Sequence, residues 1–276
     1  MREIGDGVFV EDGYPGVHIG AVRAGDRVLL VDCPLRVDDC RDWITKVAEL
    51  GRPRYLALLD SHPDRVLGAR NFDLPIIAHD ATRQAVGGWP DAFKGAPHPI
   101  GADADRLKRI TGVSRAVPDL TFSDTLTIQL GERRVECWHR PGPTSGAMWV
   151  LVPEAGVAFI GDLIRLNEPP YVGEAEIESW LDSLSDLRGL KGYRWVTSHD
   201  GIGQQGQITT MSRFLRKIAV RIERMSGKED PLEAVSSMVP KLLKGMRVPT
   251  SAREQAELRL TAGLTHLYVR RHEPEP

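Results

Sequence analysis

One stretch, residues 55–72, constrains the fold of this chain more than any other. An apolar run over 55–59, the pattern of a buried strand, gives way to three side chains of metal-ligand type at alternate positions: Asp60, His62 and Asp64. An apolar helix start containing Gly68 follows. Alternate spacing after a strand lets such side chains converge on one point, as a metal site requires. A loop turn with an Asp or Ser helix cap accounts for the same residues without any ion.

The rest of the chain tells which scaffold surrounds this loop. Residues 7–10, 18–22 and 27–31 are short β-type runs, and Ala24, Gly25 and Asp26 suit a hairpin between the last two. Trp43, Ile44, Val47 and Leu50 give helical spacing over 37–50. A helix near 66–71 and a strand over 75–78 follow the motif loop. Residues 87–118 read as an insertion that holds a basic helical piece over 105–110. Strands resume at 120–130, 133–139, 148–152 and 157–160. An amphipathic helix over 174–187 then precedes a last strand over 193–197.

After Gly206 the pattern turns helical. Ile208, Met211, Leu215, Ile218, Ile222 and Met225 form one stripe opposite Arg213, Arg216, Arg221 and Arg224. Asp230 and Pro231 signal a second helix start, and Pro240 is predicted to kink or shorten that helix. Ser251 and Glu254 make a capping box for a third helix running to about Arg270. The chain thus divides into a domain of residues 1–205 and a helical extension of 206–276.

The frame around Asp60 resembles the His-x-His-x-Asp-His signature of the metallo-β-lactamase superfamily. Asp60 stands at its first His and Arg65 at its last, while His62 and Asp64 keep the motif's residues. The resemblance extends over about 8–201. Residues 29–32 match an early strand ending in Asp32. In the loop 139–146 Pro143 stands where a ligand His belongs, and a proline side chain has no donor atom. Residues 158–162 match a strand-Gly-Asp element ending in Asp162. Residues 196–201 match the element that supplies the last His, His199, with Ser198 in place of its Gly.

The resemblance implies an α/β fold, a four-layer αββα sandwich with a helical C-terminal extension. Asp60, His62, Asp64, Asp162 and His199 are then expected to converge at one sheet edge as metal-ligand candidates. Arg65 and Pro143 each remove a ligand, so a dinuclear zinc centre is not expected: at most one metal ion remains, on Asp60, His62 and Asp162, with Asp64 and His199 nearby. An oxygen-rich set leans toward manganese, iron or magnesium over zinc. The expected activity is hydrolysis of a small ester, amide, thioester or phosphoester. Asp64 and His199 would carry protons and Arg65 would steady negative charge. Two rival readings use the same residues. One is a metal-free, non-catalytic descendant that binds a ligand or partner through this cleft, and the other is a metal-free acid–base enzyme.

Composition narrows the partners. A net charge of -2 over 276 residues gives no basic footprint for nucleic acid. No apolar run approaches membrane-spanning length, and the first residues carry no apolar signal region. Three cysteines at unrelated spacings indicate neither a disulfide framework nor a thiolate zinc site, so a reduced cytoplasm is expected. Partners are a small-molecule substrate and, through the apolar stripe after Gly206, the sandwich itself or a second copy in a homodimer. Residues 167–172 are read as a cleft wall or a rigid connector.

Overall fold

The computed structural model of the chain describes residues 1–89, 115–225, 228–246 and 248–272. Its strands form two sheets. The first runs, in spatial order, β1 (Arg2–Gly5), β2 (Val8–Glu11), β3 (Ile19–Ala24), β4 (Arg27–Val31), β5 (Arg52–Ala57), β6 (Ile76–His79) and β7 (Leu120–Phe122). β1 to β4 pair antiparallel, and β4 to β7 pair parallel. The second sheet takes β8 (Thr125–Leu130), β9 (Arg133–His139), β10 (Met148–Val152), β11 (Val157–Gly161) and β12 (Arg194–Thr197), with only β11 and β12 parallel.

Strand alternation explains why the sheets face each other. In β10, Val150 and Val152 join the core between the sheets, while Trp149 and Leu151 join the core on the outer face. β11 does the same with Phe159 inward and Ala158 and Ile160 outward. From the first sheet Val22, Leu29, Val31 and Ile77 point into the shared core. Gly20 gives the sheets room to close, because a Cβ there would run into the Phe159 ring from the opposite sheet.

Helices cover both outer faces. α1 (Val37–Ala48) buries Cys40, Trp43 and Val47 on the first sheet, with α2 (Pro63–Val66) and α3 (Asp80–Gly87) beside it. α4 (Ile177–Gly189), α5 (Gln205–Glu223), α6 (Pro231–Leu243) and α7 (Arg253–His272) share one apolar core with the outer face of the second sheet. This is the expected four-layer αββα sandwich with a helical C-terminal extension.

Some local expectations change. The run 120–130 is two strands, and Ser123 and Asp124 carry the chain from one sheet to the other. α6 does not stop at Pro240 but continues to Leu243. Pro240 lies one turn from the end, so its missing N–H removes a single bond while Met238, Val239, Leu242 and Leu243 stay buried. Asp230 caps that helix as expected, accepting from the Glu233 amide at 2.9 Å. The stripe Ile208, Met211, Leu215, Ile218 and Ile222 is fully buried within the chain, with Met225 packed at its edge. The face on which the homodimer expectation rested is therefore covered by the protein's own sandwich and helices. The basic piece over 105–110, and most of the insertion that holds it, lie outside the described residues.

Candidate active site

Parallel pairing builds the site. β4 and β5 run side by side, as do β11 and β12, so within each pair the C-terminal ends share one edge. Asp32 follows β4, Asp60 follows β5, Asp162 follows β11 and His199 follows β12. Loops leaving adjacent parallel strands are bound to meet, and here all four deliver a polar side chain.

The motif loop is held by its own side chains. Asp60 Oδ1 accepts from the His62 amide at 2.8 Å, closing a tight turn before Pro63 opens α2. Asp60 Oδ2 lies 2.8 Å from His62 Nδ1 and 3.2 Å from Arg65 Nη1. Asp32 supports this loop from below: its carboxylate accepts from the Leu59 amide at 2.9 Å, and its own amide donates to the Ala57 carbonyl. Asp32 has φ of 56°, a left-handed conformation that a residue with a Cβ adopts at a cost of about 1–3 kcal/mol. Gly68 lets the helical segment approach β4's end, since a Cβ there would strike the Pro34 carbonyl oxygen.

Arg65 is the hub. It has no exposed surface, yet its guanidinium faces four carboxylates: Asp162 at 2.7 Å, Asp60 at 3.2 Å, and Asp32 and Asp64 each at 3.8 Å. His199 Nε2 lies 3.1 Å from Asp162, 3.6 Å from Asp64 and 3.4 Å from Arg65 Nη2. His62 Nδ1 lies 3.5 Å from Asp162. Asp60, His62, Asp64, Arg65, Asp162 and His199 therefore meet at one sheet edge. Pro143 is buried in the connection between β9 and β10 and supplies no donor.

This crowding shifts the titrations. Burial pushes the Asp162 carboxyl up, but Arg65 and His199 outweigh it and hold the group well below the usual carboxylate range. Asp60 is lowered in the same way, with Arg65 and His62 overcoming burial. Burial works against a charge on His62, yet Asp60 and Asp162 raise its pKa to about 8. Asp32 is pushed up to about 7 by burial, which Arg65 only partly offsets.

The donor set fits one divalent ion. Ligand atoms of Asp60, His62 and Asp162 all lie within 4.8 Å of one another, and all three residues are buried. His62 Nε2 and both Asp64 carboxylate oxygens are buried without a hydrogen-bond partner, which is costly unless something binds there. Charge counting gives the same number. With all four carboxylates ionised, the permanent cations Arg65 and Arg165 and one divalent ion complete neutrality with His62 uncharged. A second ion would leave an excess of two positive charges, and the Arg65 guanidinium already stands between Asp60 and Asp162.

Three further residues belong to this cluster. Arg165, three positions after Asp162, is buried with Nη1 at 3.2 Å from His199 Nε2 and 3.6 Å from Asp162. Its other nitrogen reaches Glu168 at 3.4 Å, and Glu168 also accepts from Arg259 Nη1 at 2.8 Å. Arg259 sits on α7, is 1% exposed, and links the C-terminal extension to the cluster. The cationic side chain one turn beyond Asp162 was a readable signal for Arg165. No local pattern marks Arg259.

A groove of about 180 Å³ opens beside the cluster, walled in part by Tyr14, His18, Glu168, His199 and Asp200. His18, which has no obvious partner in the sequence, accepts from the Gly201 amide at its Nδ1, so a neutral ring carries its proton on Nε2. Asp200 pins the segment 166–167 by accepting from both its amides. Residues 167 and 168 thus do form part of the wall.

A family model for the metallo-beta-lactamase superfamily matches residues 13–199, and the chain belongs to that superfamily. No curated protein matches it. Among solved structures, a metallo-beta-lactamase family protein from Thermus thermophilus is 19% identical, with TM-score 0.65 over 97% of this chain and 94% of that one. A metallo-beta-lactamase from Pontibacter korlensis is 18% identical, with TM-score 0.60 over 78% of this chain and 97% of that one. At these identities the likeness is one of fold. The superfamily is generally hydrolytic, and no described helix is long and apolar enough to cross a membrane.

Proposed function

We propose that this chain is a hydrolase for a small ester, amide, thioester or phosphoester, working with one divalent metal ion. The observation that carries the reading is the convergence of Asp60, His62 and Asp162 beside a guanidinium that stands where a second cation would otherwise be needed. Those three residues would hold the ion, which when bound lowers the pKa of a water and stabilises negative charge developing on the substrate. The oxygen-rich set favours manganese or iron over zinc.

The chain's own residues do the rest. Arg65 keeps Asp60 and Asp162 ionised, and because it is fully buried it acts on the substrate through those carboxylates. His199 lines the groove with Nε2 between two carboxylates, so it takes a proton from the attacking water and returns it to the leaving group. Asp64 places a carboxylate 3.6 Å from His199 Nε2, beside the proton being moved. The narrow groove favours a small substrate over a polymer. A purely structural salt-bridge network accounts less well for the cluster, since it leaves His62 Nε2 and the Asp64 oxygens unsatisfied.

Elemental analysis of tag-free protein tests the metal, paired with a turnover screen over nitrophenyl esters, thioesters and phosphodiesters. One transition-metal ion per chain is expected, with activity on one substrate class that Asp162→Asn abolishes. Two ions at full occupancy, or none after incubation with manganese, iron and zinc, would overturn the reading.

A further inference from the structure

We infer that the groove along the outer face of α5 is a binding site for a small oligophosphate, a chain of three or more linked phosphates, separate from the hydrolytic cleft. Arg213, Arg216, Lys217, Arg221 and Arg224 stand at positions i, i+3, i+4, i+8 and i+11, so they form a single stripe along the helix. Arg188 at the end of α4 adds a sixth cation to the lining. The groove they line measures about 440 Å³, within the size range of small-ligand sites, and no described acidic residue lines it.

The stripe is unlike the arginines of α7, which are paired. Arg270 pairs with Glu176, Arg271 with Glu178 and Glu223, and Arg253 with Glu257. None of the six groove cations makes an ion pair or hydrogen bond with any described residue. Glu223, the one acid on α5, is engaged by Arg271. Like charges three and four positions apart weaken a helix, and a bound anion would relieve that repulsion. The chain's net charge is -2, which makes this a local concentration of charge and not a reflection of general basicity.

Geometry and donor chemistry select the occupant. Guanidinium groups bind phosphate oxygens through paired N–H donors, and five of the six cations are arginines. Arg221 Nη1 is buried with no hydrogen-bond partner, a donor already desolvated and lacking an acceptor. The groove is open and small, with cations of α5 and Arg188 of α4 around it, which suits a compact multi-charged ligand of its size. Val220, 51% exposed within the groove, offers an apolar surface that a nucleoside attached to the phosphates would cover.

Titration calorimetry on the full-length protein in near-physiological salt is the test, with inorganic tripolyphosphate, ATP and orthophosphate as separate ligands. One-to-one binding of tripolyphosphate is expected, at least tenfold tighter than orthophosphate. ATP binding tighter than tripolyphosphate would assign the source as a nucleotide, and equal or weaker binding would assign it as the inorganic chain. The paired change Arg216→Gln and Lys217→Gln, on exposed side chains, should weaken binding tenfold or more while leaving the melting temperature and metal content unchanged. Arg216→Lys, which keeps the charge but loses the paired N–H donors, should weaken binding less than Arg216→Gln. Three results would overturn the inference: absence of binding, binding unaffected by the paired change, or tripolyphosphate displaced by anionic vesicles or duplex DNA at lower concentration.

Discussion

The two halves of the cluster solve the same electrostatic problem with different cations. In one half Asp60, His62 and Asp162 bring ligand-type atoms within 4.8 Å of one another. In the other, Arg65 and Arg165 occupy the space with side chains that cannot leave. Four buried carboxylates would otherwise repel one another and protonate. An exchangeable cation gives chemistry at the expense of dependence on supply. A covalent one gives permanence, a fixed geometry and no open coordination position.

That contrast can be broken most severely at Arg65. Arg65→Met strips the cation from four carboxylates and should cost about 3–5 kcal/mol in urea unfolding. If the halves are equivalent in charge, added manganese should restore part of that loss. No destabilisation would mean the guanidinium is not the hub. Next in effect is conversion of the second half into the first. Asp60→His, Arg65→His and Pro143→His together should raise zinc uptake, measured by elemental analysis. An unchanged zinc content would argue against the alignment of these positions with metal ligands.

A smaller effect is expected from Arg259→Met, which removes the 2.8 Å ion pair to Glu168. A loss of roughly 2 kcal/mol is expected from a charged hydrogen bond partly open to solvent. A fall in kcat with KM nearly constant would mark a role in positioning Arg165, whereas a change in stability alone would make the contact structural.

The smallest effect concerns His62 in metal-free protein. Its pKa of about 8 lies above the ordinary value of 6.5, so protonation stabilises the fold. That contribution, at most about 2 kcal/mol, is complete below pH 6.5 and lost as pH rises through 8. Metal must displace the same proton, so apparent affinity should climb roughly tenfold per pH unit and level off above pH 8. Denaturation midpoints and metal titrations from pH 6 to 9 would reveal either slope, and flat curves would contradict the assigned titration.

How far the sequence disclosed this arrangement depended on whether a contact was set locally. Asp60, His62 and Asp64 lie on one loop, and Asp162 and His199 end apolar runs, so strand periodicity placed all of them at strand ends. Arg65 and Pro143 could be recognised as replacements because the surrounding frame was intact. Arg165 and Glu168 gain their meaning from the loop after β11 folding back over the cleft, and Arg259 from a helix nearly a hundred residues away in sequence from Glu168. Pairing between distant segments leaves no periodicity to read. The same limit explains why 120–130 looked like one strand: both its halves alternate, and only tertiary structure shows that they belong to different sheets.

The linkage from Arg259 through Glu168 to Arg165 has a practical consequence for anyone cutting or grafting this protein. Tyr171, which meets His266 at 3.0 Å, and Ala175, whose carbonyl accepts from Arg270, tie the same cleft-side segment to α7 at further points. A limited proteolytic nick between α6 and α7 would leave every residue nearest the metal position untouched, yet it would loosen the wall that holds Arg165 against His199. A chimera that kept the sandwich and borrowed its last helices from a relative would lose one of the cations on Glu168 unless the incoming helix carried a cation at the position of Arg259.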